Sequence, residues 1–371
     1  MRPRLLLLAA LAATPAARAN VCDFTAVSAR VQQLMQRAGV SDAGIAIGTS
    51  RGLLLKQYLH AGGGTSAYDD GVRIPLASAS KLLAGVRILQ LVDDGAIALD
   101  APVSDYLPEF TGPKGTMTMR QMFSHTAGYG DDLDSPVLAF PVTLAQDVAW
   151  IAQHVDMPFP PPGAYFAYGG ISMQVGGEVA EVRGGEDWQA GWQAHLGAPL
   201  GATGIDWQGL GPTANYRISG GAQASLPDYA KVLAMLLAGG VGNGWRVLSP
   251  QAIATLDADQ TAGAALAYSP PGADGRHAYS VGAWIETFPP PPLAPAISSI
   301  GKFGYAPWVD FDGGFYGVIM IEQQSTTLPP MGELSHDAVV DIDALVRAQP
   351  VASCAPAEPW DPIFRDGNER P

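Results

Sequence analysis

Residues 73–110 read RIPLASASKLLAGVRILQLVDDGAIALDAPVSDYLPEF. Within them Leu82, Leu83, Val86, Leu89 and Val92 recur at helical spacing, so a helix is expected over 76–92. Ser78 and Lys81 stand at its start. Residues three apart on a helix share a face, which brings a hydroxyl and an ammonium within hydrogen-bond reach. The first turn of a helix also favours negative charge, which helps an alkoxide developing at Ser78. A lysine titrates at about 10.4 in water, so Lys81 needs desolvation or a neighbouring cation to act as a base. Ser and Lys are common on helices, and the S-x-x-K tetrad carries little weight alone.

Outward from this helix the pattern changes character. Upstream, a helix is expected over 24–39, followed by a hairpin of 44–47 and 53–59. Downstream, helical segments are expected over 119–124, 144–155, 171–182, 186–196, 226–237 and 250–259. Pro- and Gly-rich loops separate them, including FPPPG at 159–163 and the stretch 238–244. Past 278 the segments are short, aromatic and β-branched: 279–286, 297–303, 307–311 and 315–322 read as strands. Pro289 to Pro292 reads as a stiff loop, and Asp312-Gly313-Gly314 as a hairpin turn. A last helix is expected over 335–349. Strands at both ends with helices between them predict an α/β (α+β) fold. One sheet would come from about 20–75 and 265–350, with a mainly helical insertion over 76–264.

The chain has 371 residues, 47% hydrophobic and 15% charged, with 44 Gly, 31 Pro and 2 Cys. That excludes a disordered chain, a disulfide-rich mini-protein and a collagen-like fibre. The formal charge of −14 argues against nucleic acid as a partner, since binding phosphates requires a basic field. Residues 1–19 read as a signal peptide, with Arg2 and Arg4, an apolar run from Leu5 to Ala13, and Ala17-Arg18-Ala19 as the cleavage site. The run falls short of the roughly 20 residues a membrane span needs, so no stable anchor is expected. Cys22 lies near the cut, but Asn20 and Val21 stand where a lipobox would have small residues. Cleavage after Ala19 implies a secreted or periplasmic protein. In an oxidising compartment Cys22 and Cys354 can bond, tying the first helix to the last; two unpaired thiols are the alternative. Residues 351–371 read as a Pro-rich C-terminal tail, expected to be mobile from Ala355 onward.

The 73–110 stretch resembles the serine-hydrolase family of β-lactamases, penicillin-binding proteins and related esterases, in which S-x-x-K is a signature. It is most similar to the class C β-lactamase and family VIII carboxylesterase branch. The runs Gly95 to Asp100, Leu107-Pro108, Met119 to Gly128, Gly220 to Asp228 and Tyr279 to Trp284 share the likeness. It extends from about residue 30 to 345, and so implies a single β-lactamase-like module over 20–350 with an antiparallel sheet.

The resemblance implies an acyl-enzyme on Ser78. It places Tyr168 of Pro162-Gly163-Ala164-Tyr165-Phe166-Ala167-Tyr168-Gly169-Gly170 as the phenol that shares proton transfer with Lys81. Gly170 departs from the family's Asn, which weakens the case for β-lactam or peptide substrates. Lys302-Phe303-Gly304 resembles the third motif, Lys-Thr-Gly or His-x-Gly on a strand. Lys302 would then supply positive charge, Gly304 close substrate approach, and the N–H groups of Ser78 and Tyr305 the oxyanion hole.

Gly48-Thr49-Ser50-Arg51-Gly52 also satisfies G-x-S-x-G, but a second strand follows it where a nucleophile elbow requires a helix. The histidines are scattered without metal-ligand spacing, and His125 lies in a family block where it is usually structural. No metal or cofactor is called for. The expectation is an exported serine hydrolase of a small ester or amide, a carboxylesterase first, with Phe166, Phe303, Tyr305 and Trp308 lining its cleft. A β-lactamase or D-amino-acid peptidase is the alternative within the fold. A non-catalytic relative that binds cell-wall fragments or a protein partner is the alternative outside enzymes.

Overall fold

The structure is a computed structural model, and it describes residues 22–130, 141–261, 263–273, 275–289 and 294–360. Residues 1–19, read as a signal peptide, lie outside the described residues. In chain order its principal elements begin with α1 (Thr25–Ala38), β1 (Asp42–Thr49), β2 (Gly52–His60) and α2 (Ser80–Asp93). Helices α3 (Met119–Phe123), α4 (Leu144–His154), α5 (Ile171–Gly184) and α6 (Leu226–Leu237) follow. Then come β3 (Trp284–Phe288), β4 (Ala294–Ser298), β5 (Ala306–Asp310), β6 (Phe315–Met320), α7 (Met331–Arg347) and β7 (Glu358–Pro359).

The seven strands form one antiparallel sheet in the order β7-β2-β1-β6-β5-β4-β3. The two chain ends meet at its centre, where Gly44 pairs with Met320 and Ile47 with Gly317. Strand side chains alternate faces, and here both faces are covered. Ala43, Ile45 and Ile47 of β1, with Phe315 and Ile319 of β6, pack on α1 and α7. Ala46, Val318 and Met320 face the other way, into the larger core that contains α2, α5 and α6. Burial on both sides explains why β1 reads as a nearly continuous apolar run rather than a clean alternation.

Local sequence fixes most helix starts. Thr118 and Gln121 close a capping box on α3, as Thr143 and Gln146 do on α4. Ser225 caps α6 through the Asp228 N–H, with Pro227 in its first turn, so this helix has the expected bounds.

Several bounds move. The strand expected from 279 begins at Trp284, because Gly282 (φ +89°) turns the chain and Tyr279 folds back to bridge Trp284. The strand expected over 297–303 ends at Ser298, and 301–304 form a turn. The helix expected over 186–196 starts at Trp188 under an Asp187 cap and passes into a wider π turn, Gln193–Gly197. The tail is also corrected over its first residues. Glu358 pairs with Leu53 at the sheet edge, Lys56 binds Glu358 at 2.8 Å, and Arg51 donates to the Cys354 carbonyl at 3.0 Å. Cys22 and Cys354 are joined by a disulfide, with Cα atoms 5.7 Å apart. Among the described residues, no helix is long and apolar enough to cross a membrane.

Candidate active site

Ser78 lies in a single 3-10 turn, Ala77–Ala79, that leads directly into α2. Ala77 is held at φ +46°, a conformation non-glycine residues seldom adopt, and the turn presents Ser78 half-buried. Two neighbours hold the turn: Leu76 donates to the Ala222 carbonyl at 2.8 Å, and Ala222 donates to Ser80 Oγ at 3.0 Å. The block at 220–228 therefore braces the Ser78 turn from the side.

Lys81 is only 4% exposed, and a charge so deeply buried requires partners. Its Nζ donates to Ser78 Oγ at 3.1 Å and to the Ser219 carbonyl at 2.9 Å. Nζ also stands 4.7 Å from the centre of the Tyr168 ring. The structure thus brings Ser78, Lys81 and Tyr168 together. Gly170 is buried at the start of α5 and offers no side-chain amide, and the Ser219 carbonyl supplies an acceptor to the lysine.

Tyr168 sits in an aromatic box. Its ring stacks on Trp284, with centroids 5.4 Å apart and planes 8° from parallel. It meets His125 at 4.4 Å and Tyr279 at 6.1 Å. Arg276 stands 4.8 Å from the Trp284 ring and is held by Glu286 at 2.7 Å. Burial opposes ionisation of Glu286, but His336, Arg276 and Ser298 overcome it and bring its carboxyl down to about 2. Burial raises the Tyr279 phenol well above its ordinary value, and the adjoining Tyr168 adds to this.

The third motif is placed differently from expectation. Lys302 is exposed in a turn, its Nζ 5.0 Å from the Phe303 ring, and it is not on a strand. Gly304 is turned toward the α7 layer: a Cβ there would stand 2.7 Å from Met331 and 2.8 Å from Ile321. Tyr305 is fully buried, its hydroxyl donating to the Ser225 carbonyl at 3.2 Å. The atoms that meet the Ser78 turn belong instead to Ser299 and Gly301. Ser299 Oγ donates to the Ser78 carbonyl at 2.9 Å. A Cβ on Gly301 would stand 2.1 Å from the Leu76 carbonyl oxygen, so only glycine permits this approach. Both were missed because neither carries charge, whereas Lys302, next to Gly301, does. The G-x-x-G spacing of Gly301 and Gly304 was the available signal.

Two further expectations are corrected. Trp308 is fully buried over Gly317 in the α1 and α7 layer, and Phe166 is fully buried beside Tyr279 and Trp284. Neither is a cleft wall. Ser50 of the G-x-S-x-G decoy is exposed in the turn between β1 and β2.

The β-lactamase family model matches residues 27–338. Penicillin-binding protein 4 of Amycolatopsis lactamdurans is 28% identical over 157 residues, 40% of this chain and 39% of that protein. The chain thus aligns with less than half the length of that curated relative. Among solved structures, a candidate β-lactamase of Bacteroides dorei is 26% identical with a TM-score of 0.76, over 88% of this chain and 99% of that one. A family VIII carboxylesterase, 18% identical, shares the fold with a TM-score of 0.68 over the same shares. On the extent of the family match and on this arrangement of sheet and helices, the chain belongs to the β-lactamase family.

Proposed function

We propose that this protein is an exported carboxylesterase that forms an acyl-enzyme on Ser78. The observation that carries the reading is the buried Lys81 ammonium, 3.1 Å from Ser78 Oγ and 4.7 Å from the Tyr168 ring centre. Ser78 Oγ attacks the ester carbonyl while its proton passes to the Tyr168 oxygen of the Lys81–Tyr168 pair, held as a phenolate by the neighbouring Lys81 ammonium. The same pair returns the proton to the departing alkoxide, and the C–O bond breaks. Water then attacks the acyl-serine, releases the acid and restores the Ser78 hydroxyl. The backbone N–H of Ser78 is one oxyanion donor. The N–H of Tyr305, just after the Lys302-Phe303-Gly304 motif, is the second, as the resemblance implies.

Substrate choice follows from charge. β-Lactams and peptides of D-amino acids bring a carboxylate that favours a fixed cation beside the nucleophile. Lys81 is already committed to Ser78 and Ser219; on the third-motif side the side chain touching the Ser78 turn is the neutral Ser299, and the Lys302 ammonium rests on Phe303. Gly170 likewise removes the side-chain amide through which relatives hold an acylamino group. Both features favour a small neutral ester. Export rests on the Arg2 to Ala19 leader pattern, and the Cys22–Cys354 disulfide is consistent with it.

The test is intact mass after exposure to a reactive phosphonate ester, followed by turnover of a short-chain aryl ester and a chromogenic cephalosporin. A single adduct on Ser78, lost in Lys81→Ala, with ester turnover dominant, is expected. An adduct with faster cephalosporin turnover would favour a β-lactamase, and no adduct would favour a non-catalytic binding role.

A further inference from the structure

His125 touches the Tyr168 segment in three ways. Its backbone carbonyl accepts the N–H of Ala167 at 2.9 Å, and its ring Nδ1 accepts the N–H of Gly169 at 3.4 Å. The imidazole itself packs on the phenol ring, centroids 4.4 Å apart. The residues before and after Tyr168 are thus tied to one histidine. His125 holds an unusual φ of +60° to do so, a backbone conformation that surrounding structure must maintain.

The protonation state fits a clamp and not a proton carrier. Since Nδ1 accepts an N–H, the ring proton stands on Nε2, a buried atom with no hydrogen-bond partner among the described residues. Burial, then the Lys81 charge, push the ring well below the ordinary histidine value, so it stays neutral and Nδ1 keeps its lone pair. The titratable groups that face it are Lys81, Tyr168 and Tyr279. An unused buried donor is a cost that stability alone would not retain.

We propose that His125 is a positioning residue for Tyr168: its carbonyl and Nδ1 fix the flanking backbone so that the phenol is held beside Lys81 Nζ. The inference rests on the acyl-enzyme reading above. Shifts of roughly 1 Å at a reacting group cost on the order of 10²-fold in rate, so a clamp of this kind is visible in kcat.

Two variants suit the positive φ. His125→Asn keeps an acceptor on the atom after Cγ, and His125→Gly removes it. With a short-chain aryl ester, His125→Gly is expected to lower kcat on the order of 10²-fold with KM within about threefold, and to slow phosphonate labelling of Ser78 equally. His125→Asn is expected to recover kcat to within about tenfold of the parent. Folding is checked by Tm. Independently of any variant, ¹⁵N NMR of the parent is expected to show neutral His125 with its proton on Nε2 from about pH 6 to pH 8. Equal kcat in the two variants, a loss confined to KM, or a proton on Nδ1 would overturn the inference while leaving Ser78 labelled. Parent protein unlabelled at Ser78 would overturn the acyl-enzyme reading, and the inference with it.

Discussion

Ser299 Oγ and Lys81 Nζ hold the Ser78 turn from opposite ends of one residue: the first donates to the Ser78 carbonyl, the second to its hydroxyl oxygen. A neutral hydrogen bond of this kind contributes about 1 kcal/mol net. Ser299→Ala is therefore expected to reduce kcat about three- to tenfold with little change in Tm, because no cavity of consequence forms. Gly301→Ala is expected to cost more, since its Cβ would collide with the Leu76 carbonyl and displace the turn. Steady-state kinetics of both variants checks this, and a Ser299→Ala enzyme indistinguishable from the parent would remove Ser299 from the site. Ser78 and Lys81 were legible because three-residue spacing on a helix start fixes their geometry locally. Ser299 was not, because its partner is 221 positions away and its side chain is chemically ordinary.

At the scale of elements, α5 carries an acid on its buried side. Burial pushes Glu178 up to about 7, and the nearby Glu181 and Glu109 add to the shift. On the adjoining α4, burial also raises Asp147, to about 6. For Glu178 the folded value exceeds the unfolded value of 4.5. The stability it contributes is complete below 4.5, declines as pH rises, and is lost through about 7. Glu178→Gln is thus expected to raise Tm by a few degrees at pH 8 and to leave it nearly unchanged at pH 5. Thermal melts across that range decide it, and a gain equal at both ends would mean the acid is already charged throughout. The helix itself was legible from its apolar spacing, but the packing that buries its acids was not.

For the whole molecule, the disulfide and the edge strand β7 fasten the two chain ends over α1, α7 and β2. Cys22 and Cys354 are 332 positions apart, so the bond closes a very long loop in the unfolded chain. Reduction, or Cys22→Ser with Cys354→Ser, is expected to lower stability by about 2–5 kcal/mol while leaving kcat at 25 °C unchanged. The cysteines pack with α1 and α7, across the sheet from the core that contains α2. Denaturant melts with parallel activity assays test both halves, and a loss of kcat in the folded reduced protein would contradict this separation.

The sequence by itself determined what depends on neighbours along the chain. The helical period after Ser78, the capping pairs Thr118–Gln121 and Thr143–Gln146, the Ser225 cap and the Asp312-Gly313-Gly314 turn each act within a few residues. It also determined that strands from both ends share one sheet, since apolar segments at each end require a common core. Tertiary structure alone decided the third edge of the site. Whether Gly301 or Gly304 lies against the Ser78 turn depends on where the turn after β4 is seated, and Gly301 seats it on the Leu76 carbonyl. It likewise decided that His125 clasps Tyr168 and that Trp308 belongs to the back of the sheet. In each case the deciding contact joins segments distant in sequence, and period, propensity and motif spacing do not encode such contacts.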